Sequence, residues 1–317
     1  MGSEKSAIVA FASASAADRR IAGVAAAARA VKALADEGGA EVRLRIGDGA
    51  PLSPATCADL ERLRGPAAVV VEGGEGEEAR PPSSWAIVRA TGKPSDGLVS
   101  RWLNRPISQR ITWLVLKLPA ARPIHVTLVN AVLAILIVPV LLFGGQPGLL
   151  AGGILFHAAS VLDGVDGEMA RATFRSSPAG AALDSGVDMM TNLLFVAAIT
   201  ANLALRDRDA IGWVGGWALI VAVVGWFLIA RRVRAAGAPL GLDLFKRSGR
   251  IGGAADLVFW VVQTLSSRDC YAFLFMLFII AGHERTALII FTSVATLWFL
   301  YVLASLLPIP RLFRGAA

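Results

Sequence analysis

The chain has 317 residues, of which 55% are hydrophobic and 17% are charged, and its mean hydropathy is +0.61. Soluble domains are usually about 45–50% apolar and about 25% charged. The composition therefore excludes a disordered or collagen-like chain and argues against a purely soluble protein. It predicts a membrane protein that also carries a soluble part.

The charged residues divide the chain into two unlike parts. Residues 1–97 hold 12 Lys and Arg against 13 Asp and Glu, whereas residues 98–317 hold 19 against 11 and carry the excess behind the net charge of +7. Cations that flank membrane spans on their cytoplasmic side account for such an excess. Because the sequence has no zinc-finger, RNP-type or basic-aromatic signature, we predict that it binds no nucleic acid.

Residues 1–92 predict a small Rossmann-like α/β domain. Strand and helix patterns alternate along it, at residues 7–13, 21–37, 41–47, 54–64 and 67–73 in turn, with a last short strand predicted at Trp85–Val88. Strands that alternate with helices in this way indicate a parallel sheet. The N-terminus lacks the long apolar core of a signal peptide, so we expect the domain to lie in the cytoplasm.

Residues 93–122 predict a linker that contains a basic amphipathic helix. Leu103 and Ile107 fall on its apolar face, and Arg101 and Arg105 fall on another face. Two interpretations fit this pattern, an ordinary surface helix and a helix that lies in the membrane interface against anionic headgroups. The interfacial helix is favoured because a membrane-spanning segment follows it directly.

Residues 123–317 predict a membrane domain of six transmembrane helices, each with about the 20 residues that one crossing needs. The spans are predicted near residues 125–143, 148–170, 180–204, 211–230, 254–282 and 286–307. Ser266–Asp269 interrupts the fifth span, so residues 254–265 either belong to it or form a short re-entrant or interfacial helix. The loop cations place both termini on the cytoplasmic side of the membrane, which we expect to be a prokaryotic inner membrane.

The functional site is predicted from the few charges in the first three spans, all seven of which lie in residues 163–188. Asp163 and Asp166 fall on one face of the second span, and Asp184 and Asp188 fall on one stripe of the third. A short loop joins these helices, so the two acidic stripes can face each other. Carboxylates near the bilayer are energetically costly and are functional by default.

The chemistry of these carboxylates indicates a metal site. Four of them cannot share this space in ionised form without cations. Oxygen ligands without cysteine or clustered histidine select Mg²⁺, Mn²⁺ or Ca²⁺. Facing carboxylates suit a two-metal site that clamps phosphates, and Arg171 adds a bidentate phosphate donor.

The same residues form a longer pattern, D-x2-D-G-x2-A-R-x8-G-x3-D-x3-D, between Asp163 and Asp188. It resembles the signature of the CDP-alcohol phosphotransferases at all eight specified positions, with both internal gaps intact. The resemblance implies a membrane enzyme of six helices, usually a homodimer. It further implies transfer of a phosphoalcohol from a CDP-alcohol to an acceptor hydroxyl, with release of CMP.

The resemblance also implies roles for individual residues. Two divalent cations, Mg²⁺ or Mn²⁺, are expected to be held by four aspartates, Asp163, Asp166, Asp184 and Asp188. The CDP moiety is expected to contact Asp163, Gly167, Ala170, Arg171, Gly180 and Asp184. Asp188 is in addition the expected general base. This role agrees with the chemistry, because an attacking alcohol must lose its proton to a nearby acceptor.

Two further stretches carry resemblances. Lys93–Ser108 resembles the phosphotransferase half of the inositol-phosphate cytidylyltransferase/di-inositol-phosphate-phosphate synthase group, which favours inositol chemistry. Residues 7–39 resemble the opening of a sugar nucleotidyltransferase. Their loop at Ser13–Asp18, however, lacks the glycines that cradle a triphosphate, and the expected lysine is absent. We therefore interpret the N-terminal domain as a non-catalytic remnant with a structural or regulatory role.

A basic cluster follows the fourth span, at Lys246, Arg247 and Arg250, and Arg268 is a further member of it. One interpretation is a determinant of membrane topology. The other is a pocket that binds the phosphate of the acceptor.

Two other function classes compete with the transferase. A transporter that relays cations or protons through buried carboxylates would place charges near the midplane of several helices, whereas these charges cluster at one membrane face. An inactive anchor for the N-terminal domain is opposed by the intact pattern. The two alcohols stay open: CDP-inositol with inositol phosphate, CDP-diacylglycerol with inositol phosphate or glycerol phosphate, or a lipid acceptor.

Overall fold

The computed structural model describes residues 6–76, 78–94, 96–207, 210–235 and 254–306. The chain divides into two compact units. The first unit contains the N-terminal α/β fold together with two later segments, residues 111–121 and 168–175. The second unit contains most of the helical part, residues 92–110, 122–167 and 176 onwards.

A three-stranded parallel sheet is the frame of the first unit. Its elements in chain order are β1 (Ser6–Phe11), α1 (Ala14–Asp18), β2 (Arg20–Ile21), β3 (Val24–Ala25), α2 (Ala26–Asp36), β4 (Glu41–Ile46), α3 (Pro54–Leu63), β5 (Ala68–Gly73) and α4 (Ser84–Arg89). The strand order is β1-β4-β5, with Val9 opposite Leu44 and Leu44 opposite Val71. Apolar side chains of β4, such as Leu44 and Ile46, are fully buried in the core of this unit. The prediction of a small parallel α/β fold is confirmed.

Two local predictions in this unit are wrong. Trp85–Val88 is part of the helix α4 and not a strand, because the Ser83 side chain accepts a hydrogen bond from the Ala86 N–H and so caps a helix at this point. The helix predicted from residue 21 begins only at Ala26. Residues 20–25 instead pair as β2 and β3 around a turn in which Ala22 and Gly23 have φ values of +45° and +80°.

The linker is helical, with a π-helical turn at Ser100–Asn104 that leads into α5 (Arg105–Val115). Its buried face is polar: Ser108 and Thr112 are fully buried. Trp102 and Leu114, in contrast, have 77% and 55% of their surfaces exposed. The helix thus turns large apolar side chains outward, and a location in the membrane interface stays a prediction.

Five helices in the described part of the chain are long and apolar enough to cross a membrane. They are α6 (Pro123–Phe143), α7 (Gly145–Ala172), α8 (Pro178–Asp207), α9 (Ile211–Ala235) and a last helix, Glu284–Leu306. Their outer faces carry exposed apolar residues such as Leu136 and Phe227. Exposed apolar faces on long helices are typical of an integral membrane protein.

The remaining predicted span, within residues 254–282, is not confirmed. This region forms two short helices, α10 (Ala254–Leu265) and α11 (Arg268–Ile280), of 12 and 13 residues. Each is shorter than the roughly 20 residues that one crossing needs. The Ser266 and Ser267 hydroxyls donate to the carbonyls of Gln263 and Thr264, so the chain turns between the helices. Glu284–Leu306 is accordingly α12.

An aromatic cluster packs three helices of the second unit together. Phe156 of α7 stacks on Phe195 of α8 with 3.7 Å between ring centroids, and Phe275 of α11 meets Phe195 edge-on at 5.1 Å. All three side chains are buried. Lipid tails are as apolar as these rings, so close packing rather than the hydrophobic effect holds such helices together. The stacked pair also fixes how α7 and α8 lie beside each other, and this determines the geometry of the site.

Candidate active site

Three aspartates converge where α7 ends and α8 begins. Asp163 lies seven residues, about two turns, after Phe156, and Asp188 lies seven residues before Phe195. Because the two helices run in opposite directions, stacking of the phenylalanines brings these aspartates together. Each of Asp163, Asp184 and Asp188 offers a carboxylate oxygen within 4.8 Å of those of the other two. Such a set of oxygens suits a hard divalent cation.

A positively charged side chain, that of Arg268, pairs with two aspartates of this cluster. Arg268, the first residue of α11, has its Nη1 atom 2.9 Å from Asp163 Oδ1 and also pairs with Asp188 Oδ1. Only 12% of the Arg268 side chain is exposed. The positive guanidinium offsets the repulsion between the carboxylates. Sequence reasoning expected this residue in an acceptor pocket and did not foresee its pairing with the aspartates.

Two N–H donor groups of Arg268 are free to bind a ligand. Its Nε and Nη2 atoms are buried and have no hydrogen-bond partner among the residues that the structure describes. A buried donor without a partner is energetically costly, so such donors usually serve a ligand or water. The other three residues of the predicted acceptor pocket, Lys246, Arg247 and Arg250, lie outside the described residues.

Asp166 is not among the three aspartates whose carboxylate oxygens all lie within 4.8 Å of one another. Its side chain is buried, and its Oδ2 atom accepts a hydrogen bond from the Thr127 hydroxyl on α6. The structure therefore brings together three of the four predicted metal ligands and holds the fourth through a neighbouring helix. Thr127 is a site residue that sequence reasoning missed, because no spacing within one helix reveals a contact with another.

Small residues open space around the cluster. A side-chain carbon at Gly164 would come 3.2 Å from the Ser108 hydroxyl, so this glycine lets α5 approach α7 closely. At Gly186 of α8 a side-chain carbon would meet nothing within 4 Å, which leaves room beside the aspartates. Gly180 lies in the first turn of α8, where its N–H donates to the Ser177 hydroxyl over 3.0 Å. Gly167 follows Asp166 on α7.

Ala170 and Arg171, the other residues predicted to contact CDP, lie in the last turn of α7. That turn belongs to the first unit. Within this unit the Arg171 Nε atom donates to the Thr91 carbonyl over 2.8 Å. Glu168, one turn earlier, is fully buried and accepts a hydrogen bond of 2.6 Å from the Thr112 hydroxyl. Sequence reasoning gave Glu168 no role, although a charged residue at this position signals a partner.

Polar contacts also order the linker in the second unit. Arg105 forms a bidentate pair with Asp96, with both bonds at 2.8 Å and both side chains nearly buried. Asp269, the neighbour of Arg268, accepts a hydrogen bond of 2.6 Å from the Ser100 N–H. Asn104 donates to Ser160 of α7 over 3.4 Å. These contacts fix the linker beside the helices that carry the acidic cluster.

The loop that resembles a nucleotide-binding loop is occupied by the protein's own carboxylate. The Ala14 N–H, at the start of α1, donates to both oxygens of Asp48 over 3.1 and 3.2 Å. A phosphate at this helix start would be repelled by Asp48 and would compete with it for the same donor. The interpretation of this domain as a non-catalytic remnant stays a prediction.

Comparison with known proteins agrees with the site. The sequence profile described as CDP-alcohol phosphatidyltransferase matches residues 121–309, more than half of the chain. The chain belongs to this family. The matched range includes the acidic cluster, Thr127 and Arg268.

Similar relatives share one description, bifunctional IPC transferase and DIPP synthase. Identity is 35% over 139 residues with the protein of Aquifex aeolicus, 39% over 110 residues with that of Thermococcus kodakarensis and 40% over 119 residues with that of Rubrobacter xylanophilus. These alignments cover 44%, 35% and 38% of this chain. They cover only 31%, 23% and 26% of the relatives, so the chain corresponds to a minor part of each of them.

Proposed function

We propose that the protein transfers a substituted phosphate group from a CDP-alcohol to the hydroxyl of an acceptor alcohol and releases CMP. The observation that carries the proposal is the convergence of Asp163, Asp184 and Asp188 around Arg268. This arrangement combines oxygen ligands for metal ions with a guanidinium that can hold a phosphate. Membership of the family supports the same reaction class.

The residues present fit a pair of divalent cations, Mg²⁺ or Mn²⁺. The donor set consists of carboxylate oxygens, which these hard ions prefer. Asp163, Asp184 and Asp188 would hold the ions, and Asp166 would complete the set. When bound, the ions would neutralise charge on the diphosphate and on the departing CMP.

The protein's own side chains would transfer the proton and bind the two substrates. Asp188, whose carboxylate pairs with Arg268, accepts the proton of the acceptor hydroxyl as it attacks, which is the role that the family resemblance implies for it. The spare donors of Arg268 hold an acceptor phosphate, with Lys246, Arg247 and Arg250 as further candidates for this pocket. The CDP moiety would contact the residues of the motif, Asp163, Gly167, Ala170, Arg171, Gly180 and Asp184.

Inositol chemistry is the substrate class that we favour. The description of the relatives names IPC and DIPP, and Lys93–Ser108 resembles the same group. CDP-inositol and CDP-diacylglycerol are candidate donors, and inositol phosphate, glycerol phosphate or a lipid alcohol are candidate acceptors. We also propose a homodimer with both termini and the site on the cytoplasmic side. We further propose that each chain consists of an α/β domain at residues 1–92, a linker with an amphipathic helix at residues 93–122, and a membrane domain at residues 123–317.

The test is a donor–acceptor panel with the purified full-length chain in nanodiscs. CMP release and product mass are expected to identify one productive pair in the presence of Mg²⁺ or Mn²⁺. EDTA should lower the rate at least about 100-fold, and added Mg²⁺ or Mn²⁺ should restore it. Release of CMP from no pair would count against the transferase, and an EDTA-insensitive rate would count against the metal site.

A second prediction concerns the N-terminal domain. The full-length chain should release no pyrophosphate from CTP with inositol phosphates or sugar phosphates, because Asp48 occupies the helix start where a triphosphate would bind. A coupled pyrophosphate assay, with a complete nucleotidyltransferase as its positive control, measures this. Steady pyrophosphate release above the no-enzyme rate would show that the domain is catalytic.

A further inference from the structure

The C-terminal end of α7, residues 168–175, is closed by an unusual turn. The Arg175 N–H donates to the Ala170 carbonyl over 2.8 Å, and the Phe174 N–H donates to the Arg171 carbonyl over 3.3 Å. These two bonds form a Schellman motif. Its left-handed position, normally glycine, is taken by Phe174 with a φ of +55°. A bulky residue in that conformation persists only where its surroundings hold it there.

Within the first unit, Arg29 of α2 stabilises this turn. Its Nη2 atom donates to the Ala172 carbonyl over 2.5 Å, and its guanidinium carbon lies 5.3 Å from the centre of the Phe174 ring. The same side chain donates to the carbonyls of Ile21 and Ala22 over 2.7 and 2.9 Å. Arg29 therefore joins the turn at Ala22 to the end of α7.

Arg62 of α3 also stabilises the turn at the end of α7. It donates to the carbonyls of Thr173 and Phe174 over 3.1 and 3.3 Å. Its orientation is set by Asp59, which lies 3.1 Å away and is itself nearly buried. With these bonds, all the carbonyls from Ala170 to Phe174 at the helix end have partners. Two cations also lie where the helix dipole is negative.

The burial of Arg29 is energetically costly. Its surface is only 9% exposed, and burial lowers the pKa of its guanidinium to about 10 although Asp59 opposes this shift. An apolar side chain could fill such a space without desolvating a charge. The cost of burying the Arg29 charge is offset by its hydrogen bonds to carbonyls of two separate segments, Ile21–Ala22 and Ala172.

We infer that Arg29 is a positioning residue, which holds the end of α7 so that Ala170 and Arg171 keep the geometry needed to bind the CDP moiety. The inference rests on the proposed function. Arg171 is held in the same unit through its side chain, by the Thr91 carbonyl, and through its backbone, by the turn that Arg29 supports. The N-terminal domain would then serve as a support for donor binding, which explains a role for a domain without a phosphate-binding loop.

The test compares Arg29→Met with Arg29→Lys in the full-length chain. Arg29→Met should raise the KM for the CDP-alcohol roughly 10- to 100-fold and leave the KM for the acceptor unchanged. Arg29→Lys keeps the charge but cannot reach three carbonyls, so it should recover only part of the loss. The matched control is Arg64→Met, which removes an exposed arginine of the same domain that pairs with Glu61.

The outcomes separate a positioning role from a purely structural one. Amides of residues 168–175 should exchange hydrogen faster in Arg29→Met, with the donor KM raised in parallel. A lower Tm with both KM values unchanged would overturn the inference. If Arg29→Met does not fold, Arg62→Met provides the same test, because that side chain caps the same turn from a more exposed position. A wild-type chain that releases no CMP would instead refute the proposed function, before any variant is compared.

Discussion

Replacement of Asp188 by asparagine is expected to lower the rate of CMP release by roughly 10²- to 10⁴-fold while the protein still folds. The amide has the shape of the carboxylate but cannot accept the proton of the attacking hydroxyl. The substitution also removes a negative charge from the metal site and from the ion pair with Arg268. Steady-state CMP release, with Tm and elution volume as measures of folding, tests this expectation.

Comparison with Asp163→Asn separates the two roles of Asp188. Asp163 is proposed as a metal ligand and not as a base, so a higher Mg²⁺ concentration should restore part of its activity. Asp188→Asn should not recover in the same way, because metal ions do not replace a missing base. Asp36→Asn, which alters an exposed carboxylate of α2, is the control. An unchanged rate in Asp188→Asn would refute its role as the base.

The aspartate cluster was predictable because local rules determine it. The spacing along one helix decides which side chains share a face. The five-residue connection between α7 and α8 forces the two helices to be antiparallel neighbours. Together these rules place Asp163 opposite Asp188. Asp166 is the exception, since its hydrogen bond to Thr127 directs it towards a third helix.

Contacts between distant segments could not be predicted in this way. Arg268 lies 80 residues from Asp188 in sequence, and nothing in its local pattern indicates that it joins the aspartates. Arg29 lies 143 residues from Ala172, the carbonyl that it binds. Such pairings depend on how whole elements pack, and one sequence without its relatives carries no record of them.

Local signals also failed where two of them competed. Trp85–Val88 has the apolar character of a strand, but Ser83 caps a helix that begins at Ser84, and the cap prevails in so short a segment. Residues 254–282 also have the apolar content of a span, but two serines bind the preceding turn and end the helix, at the interruption that the sequence indicates at Ser266–Asp269. In both regions a side-chain hydrogen bond to the backbone outweighed the hydrophobic pattern.

The buried face of α5 illustrates a related limit. Hydrophobic periodicity predicts the apolar side of an amphipathic helix as its packed side. Here Ser108 and Thr112 are buried, and Thr112 donates to Glu168, while Ile107 and Leu114 are exposed. An interfacial helix would turn its apolar side towards lipid and its polar side towards the protein, and this location stays a prediction.

Replacement of Arg268 by methionine is expected to destabilise the protein in EDTA far more than in Mg²⁺. Without the guanidinium, Asp163, Asp184 and Asp188 repel one another, and the Tm in EDTA should fall by about 3–10 °C. Bound divalent cations would supply the missing charge, so saturating Mg²⁺ should remove most of this difference. The KM for a phosphorylated acceptor should rise in the same variant, because the spare donors of Arg268 are lost.

The matched control for this experiment is Arg206→Met. Arg206 pairs with the buried carboxylate of Glu284 at 2.7 Å in the same unit, but this pair joins α8 to α12 away from the aspartate cluster. Its loss should lower the Tm equally in EDTA and in Mg²⁺. If Arg268→Met also lost the same number of degrees in both conditions, its guanidinium would be an ordinary structural ion pair. A loss confined to EDTA would identify Arg268 as the residue whose charge the metal ions can replace.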